Sequence, residues 1–190
     1  MSHATPPFVS IREKRLWGWT TAVVIAIFAT LFIGRPLASQ LREQNVQAIF
    51  FGSGLLLVTA AVLAHGLTAK PGRVELSILL GIIAVYVMLI FRLGAPERSH
   101  LIEYSVLAIF LHKALLERSS QRKLPLQPAL LASVLACFVG LLDEGLQLVV
   151  PNRVFDPQDI IFNGLAVLLA ITASLVLGWA RRRYGRSSTK

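Results

Sequence analysis

Charge is scarce in this chain. Charged residues make up 15% of 190, where a soluble domain carries about a quarter. That shortage excludes a water-facing globule of this size. Cysteine is nearly missing as well. The single Cys137 excludes an internal disulfide and, set in an apolar stretch, says nothing about compartment. Repeats and low-complexity tracts are lacking. No serine or cysteine stands in a setting that would activate it as a nucleophile, which counts against covalent acyl transfer.

Apolar sequence fills the chain instead. Hydrophobic residues reach 55%, and they fall in long runs that recur along the whole length. Backbone groups in lipid must be bonded within their own segment, so such runs predict spanning helices. The expected fold is an all-α polytopic transmembrane helical bundle of about six spans, at 17–34, 46–69, 74–91, 100–116, 128–150 and 159–179. The first run is long for a signal peptide, and Leu37-Ala38-Ser39 is a poor cleavage site, so it is read as a retained helix. Trp17 and Trp19 suit an interfacial position at its start. Residues 1–95 form an amino-terminal membrane region of three spans, 96–180 a second region of three spans, and 181–190 a basic tail.

The net charge of +9 would suit nucleic acid. The basic residues, however, sit between apolar runs and at the ends, as membrane orientation requires, so the expected partner is the lipid bilayer and not nucleic acid. With six spans, 14 of the 19 lysines and arginines fall on the side of the two ends and 5 on the other. The positive-inside rule then predicts a multi-pass cell-membrane protein with both termini cytoplasmic.

The stretch 141–153, Leu-Leu-Asp-Glu-Gly-Leu-Gln-Leu-Val-Val-Pro-Asn-Arg, stands out against this background. It puts Asp143, Glu144 and Gln147 inside an apolar helix, breaks the helix at Pro151 and offers Arg153. A charge near mid-bilayer costs about 2.5–3.5 kcal/mol on insertion scales, so ionisable residues there usually serve function. At a rise of about 1.5 Å per residue, Glu103 and Tyr104 on the fourth span, Glu144 and Gln147 on the fifth and Asn163 on the sixth all lie about 5–9 Å from one membrane edge. The orientation makes that edge the outer one. Helical spacing puts His100 on one face with Glu103 and Tyr104, Gln147 with Asp143 and Glu144, and Asp159 with Asn163. Small residues run below them: Ala132, Ser133, Ala136 and Gly140 on the fifth span, Ala166, Ala170 and Ala173 on the sixth. Such stripes let helix backbones approach closely in a bilayer, so spans five and six should pack there, with span four closing a polar cluster. Spans one to three read as lipid-facing support.

Glu103, Asp143, Glu144, Asp156 and Asp159 outnumber the nearby cations Arg98 and Arg153, with His100 as a third. Adjacent acids in low dielectric cannot all stay ionised unless a cation or a substrate amine offsets them. The alternative is structural: Asp143 and Glu144, paired with Arg153 or bonded to Tyr104, would simply lock helices together. His65 and His112 lie towards the other side and read as structural. His100 with Glu103, Asp143 and Glu144 forms a conceivable metal set, but with one histidine and no cysteine nearby, neither metal nor cofactor is expected.

Taken in order, His100-x-x-Glu103-Tyr104, Asp143-Glu144-x-x-Gln147, Pro151-x-Arg153, Asp159 and Asn163-Gly164 resemble the signature of VanZ-like membrane proteins. The resemblance covers about residues 96–180. It implies a bacterial envelope protein with a shared site on residues 100–163, in a family named after a protein of glycopeptide-resistance clusters associated with teicoplanin resistance. It implies no particular reaction.

The first functional expectation is a binding or accessory protein whose outward pocket engages a lipid- or glycan-linked envelope molecule. Arg153 would meet an anionic group, Glu144, Asp143 and Gln147 would meet hydroxyl or amine groups, and Tyr104, Asp159 and Asn163 would contribute further polar contacts. The second is an intramembrane acid/base enzyme in which Glu144 or Glu103 is the base, with Asp143 and His100 as partners. A small transporter is the third; polar groups gathered at one end argue against a continuous path.

Orientation is the expectation most directly tested. In a Cys137→Ala background, Asn152→Cys should be labelled on intact cells by a membrane-impermeant thiol reagent. Labelling only after permeabilisation would invert the orientation.

Overall fold

Helices account for nearly all of the chain that the computed structural model describes, residues 8–40, 72–151 and 155–184. They are α1 (Ile11–Gln40), α2 (Arg73–Arg92), α3 (Ala95–Ser119), α4 (Pro128–Gln147) and α5 (Pro157–Tyr184). All five are long and apolar enough to cross a membrane, and no strand occurs among the described residues. They correspond to five of the six expected spans. The expected span 46–69 lies outside the described residues.

Local chemistry sets the helix starts. Ser10 Oγ accepts the Glu13 N–H at 2.9 Å, while Glu13 Oε2 accepts the Val9 N–H at 2.6 Å. This near-reciprocal cap satisfies two amides that the first turn of α1 leaves without helical partners. Pro128 opens α4, where its missing N–H costs nothing.

Polar contacts fix the relative directions. From its start onwards α3 meets α5 in register, through His100 and Asp159, then Ser105 and the Ala166 carbonyl, then His112 and Ser174. These two helices are therefore parallel. α4 runs against α3, bringing Asp143 to Tyr104. α1 runs against α3, because Glu13 meets Arg118 at 2.6 Å, and α2 runs against α5, because Glu75 meets Arg181. The starts of α1 and α2 thus share a face with the ends of α3 and α5. The polar cluster occupies the opposite end.

α3 is the helix that the others surround. Its Leu101, Tyr104, Leu107, Ala108, Leu111 and Leu115 join Ala132 and Ala136 of α4 and Ala166, Val167, Ala170 and Ile171 of α5 in one buried core. The expected small-residue stripes do line the seams. Their consequence is wider than a two-helix contact, because α3 packs along both partners. In lipid there is no hydrophobic drive to pair helices, so close backbone approach over alanine and glycine supplies the attraction.

The outward faces of Phe91, Leu130, Val134, Phe138, Leu165 and Leu168 are exposed, as hydrocarbon permits and water would not. α2 fits a supporting role: Glu75 is its one buried residue. α1 departs from it. Ile27 and Leu31 are buried, and Glu13, at 0% exposure, binds Trp17 Nε1 and Arg118 Nε. A single acid at the very start of α1 gave no sign that a distant arginine would meet it.

Volume should decide stability along the α3–α4–α5 seam. Ala136→Leu forces a larger side chain into a fully buried position and should cost about 1–3 kcal/mol. That appears as a lower Tm in detergent. Val134→Leu, on the exposed face of the same helix, should leave Tm nearly unchanged.

Candidate functional site

The polar groups converge where α3 begins, α4 ends and α5 begins. The helices approach closely at Gly140. A Cβ added there would lie 3.2 Å from Asn163 Cβ and 3.2 Å from Tyr104 Cε1. A side chain at this position would crowd both neighbours, so the residue one turn before Glu144 bears on the spacing of the site.

Tyr104 is fully buried and donates its hydroxyl to Asp143 Oδ2 at 3.0 Å. Its ring stacks against His100, with centroids 6.1 Å apart and planes 16° from parallel. His100 Nε2 lies 3.5 Å from Asp159 Oδ2, linking the start of α3 to the start of α5. On α4, Gln147 donates from Nε2 to Glu144 Oε1 at 2.8 Å. Helical spacing of three residues makes that contact possible. Glu144 has 0% exposure, and its Oε2 has no hydrogen-bond partner among the described residues. The same holds for both side-chain polar atoms of Asn163, which is 1% exposed.

The described structure thus brings together His100, Tyr104, Asp143, Glu144, Gln147, Asp159 and Asn163. Glu103, half-buried, stands beside them on α3. Arg153 lies outside the described residues. One ligand atom each from His100, Glu144 and Asp159 falls within 4.8 Å of the other two. Asp159, expected as a binding residue, therefore takes the place in that group that the sequence reading gave to Glu103 and Asp143. The tertiary contact of α3 with α5 decides this, since helical periodicity relates residues only within one helix.

The other half of the bundle is more polar than expected. His112 is buried with Nδ1 3.0 Å from Ser174 Oγ. Tyr86 donates to Ser105 Oγ at 2.9 Å, and Ser105 donates to the Ala166 carbonyl. Such hydroxyls are too common for sequence to single out. Leu107, Ala108 and Leu111, all buried, still separate His112 from Tyr104. An apolar cleft between α1, α3 and α4, of about 270 Å³ and lined by Trp17, Thr20, Val24, Leu111, Leu135 and Phe138, lies away from the polar group.

A family model described as VanZ/LLP1 matches residues 7–178. The match runs from before α1 nearly to the end of α5, well beyond the stretch that carries the polar motifs. No curated protein and no solved structure matches the chain. A match over nearly the whole length, on helices built to cross a bilayer, means that this chain is a membrane protein of the VanZ/LLP1 family.

Proposed function

We propose that this protein engages the head group of a lipid-linked or glycan-linked component of the bacterial envelope at the polar end of α3, α4 and α5. Both termini are cytoplasmic and the polar end faces outward, a reading supported by the partition of basic residues, 14 against 5. The observation that carries the proposal is Asn163. Its amide is buried to 1% exposure, and neither the oxygen nor the nitrogen meets a hydrogen-bonding group among the described residues. Leaving a buried donor or acceptor unmet costs about 1–3 kcal/mol. A ligand with hydroxyl or amide groups would recover that cost, and Glu144 Oε2 offers it a further acceptor.

In this reading Arg153 binds an anionic group such as phosphate through two parallel N–H bonds. Gln147 and Tyr104 act as positioning residues that hold Glu144 and Asp143. Asp159 and His100 form the polar rim nearest water. A role in glycopeptide resistance is the finer form of the proposal. It requires that the engaged component be one on which a drug such as teicoplanin acts.

A second reading, an intramembrane acid/base enzyme acting on the same class of molecule, is favoured by the closeness of His100 to Glu144. A general base must sit within hydrogen-bond reach of the proton it takes, and in this reading Glu144 Oε2, without a hydrogen-bond partner among the described residues, would be that base.

Two experiments separate these readings from a purely structural cluster. The first uses a fluorescent short-chain polyprenyl phosphate sugar and measures its binding to detergent-purified protein. Arg153→Ala and Asn163→Ala should each weaken binding by about tenfold, the effect of losing a well-made charged or buried polar contact. Glu144→Gln that keeps binding but abolishes conversion of the probe identifies the enzyme. Unchanged binding in an Arg153→Ala, Glu144→Gln double variant removes both readings. The second measures stability. Tyr104→Phe leaves the Asp143 carboxyl without its hydroxyl partner and should lower Tm by the equivalent of about 1–3 kcal/mol. Arg153→Ala should not.

A further inference from the structure

We propose that His100, Glu144 and Asp159 bind a divalent transition-metal ion, with Zn²⁺ the best match to the donor set. One nitrogen and two carboxylate oxygens, from three different helices, lie within 4.8 Å of one another. Zinc bonds to imidazole and carboxylate are about 2.0–2.2 Å, so tetrahedral ligands stand about 3.4 Å apart. His100 Nε2 and Asp159 Oδ2 already stand at 3.5 Å. A separation at the 4.8 Å limit closes to that value by a combined side-chain adjustment of about 1.3 Å, within rotamer freedom.

A second observation points to a ligand independently of this spacing. Glu144 is completely buried, yet Oε2 has no hydrogen-bond partner among the described residues, and neither has the buried Nδ1 of His100. Gln147 holds the other oxygen, Oε1, at 2.8 Å. This is the way an outer-shell residue orients a carboxylate whose second oxygen serves a metal. Tyr104 draws Asp143 aside in the same manner at 3.0 Å, which leaves Glu144 as the acid of α4 that meets His100 and Asp159.

Charge supplies the physical reason. Two carboxylates brought this close inside a lipid-enclosed bundle repel strongly, and a doubly charged cation converts that repulsion into attraction. Access is available from the water side. The side chains of His100 and Asp159 retain 13% and 20% exposure, while Glu144 closes the site from within. Three protein ligands leave a coordination position open, as in zinc sites that take water or an anionic ligand. The cation site does not depend on the proposed envelope ligand, because metal binding is measurable without it.

The test uses the full-length protein in detergent, stripped with chelator and dialysed against Zn²⁺, Mn²⁺ or Mg²⁺ separately, with bound metal counted by mass spectrometry. The expected result is about one bound Zn²⁺ per chain, and an affinity lowered by about tenfold or more in His100→Gln and in Asp159→Asn, as loss of one of three ligands requires. Glu117→Gln, at the opposite end of α3, should bind as the unaltered chain does. Zn²⁺ should raise Tm of the unaltered chain and not of His100→Gln. His100 and Asp159 are partly exposed, so both variants should fold, and metal-free Tm verifies this. Zinc bound equally by all four proteins would mean adventitious sites and would overturn the proposal. So would the lack of stoichiometric binding of any of the three ions. Unaltered metal binding in Arg153→Ala, whatever its effect on the envelope probe, keeps the two proposals distinguishable.

Discussion

Tyr104 donates its hydroxyl to Asp143 at 3.0 Å across the seam between α3 and α4, where neither side chain reaches water. A bilayer offers no replacement partner, so the two helices must keep the register that makes this bond. Glu144 and Gln147 follow from it, being on the same buried face of α4 as Asp143. Asn163 follows too, since it and the Tyr104 ring both close on Gly140. One polar contact and one missing side chain thereby align three helices at the depth where the other polar groups gather.

The opposite end obeys the same constraint with different chemistry. Glu13 is buried against Arg118 and Trp17, and Glu75 meets Arg181. Among the described residues every carboxylate side chain here, Glu13, Glu75 and Glu117, has an arginine partner, and Arg118 and Arg181 remain partly exposed. A paired acid at a membrane boundary is a clasp, since the arginine head can stay near water while its stem covers apolar surface. At the polar end of α3 to α5 the acids outnumber the described cations, and Glu144 Oε2 and the Asn163 amide have no hydrogen-bond partner among the described residues. The contrast between a matched end and an unmatched end is the reason for placing function at the latter.

Much of this was legible in the chain. Apolar runs predicted the spans because a bilayer of fixed thickness demands helices of fixed length. Ala132, Ala136, Gly140, Ala166 and Ala170 announced the seam because only small residues let lipid-bathed helices approach. Asp143, Glu144, Gln147 and Asn163 stood out as candidates because polar groups in such runs are costly. Three features stayed hidden. α1 looked like a lipid-facing support, yet its Ile27 and Leu31 are in the core. Glu13 and Glu75 carry no local sign of their partners, which are more than 100 residues away. His112 and Ser174 gave no pairing signal, because a histidine and a serine on different helices carry no common periodicity.

The sequence by itself determined that the chain belongs in a membrane, where its described helices run, which faces are small enough to pack and which polar residues share one end of those helices. Each of these is a local property, set by helix rise, hydrophobicity and side-chain volume. Which polar groups meet was decided only by tertiary structure. Periodicity relates His100 to Tyr104 and Asp159 to Asn163, but it cannot say that α3 runs parallel to α5. It therefore cannot bring His100 to Asp159, or either of them to Glu144. That grouping depends on rotation and register between helices, which arise from packing summed over whole seams and from the requirement that buried polar atoms find partners inside the protein.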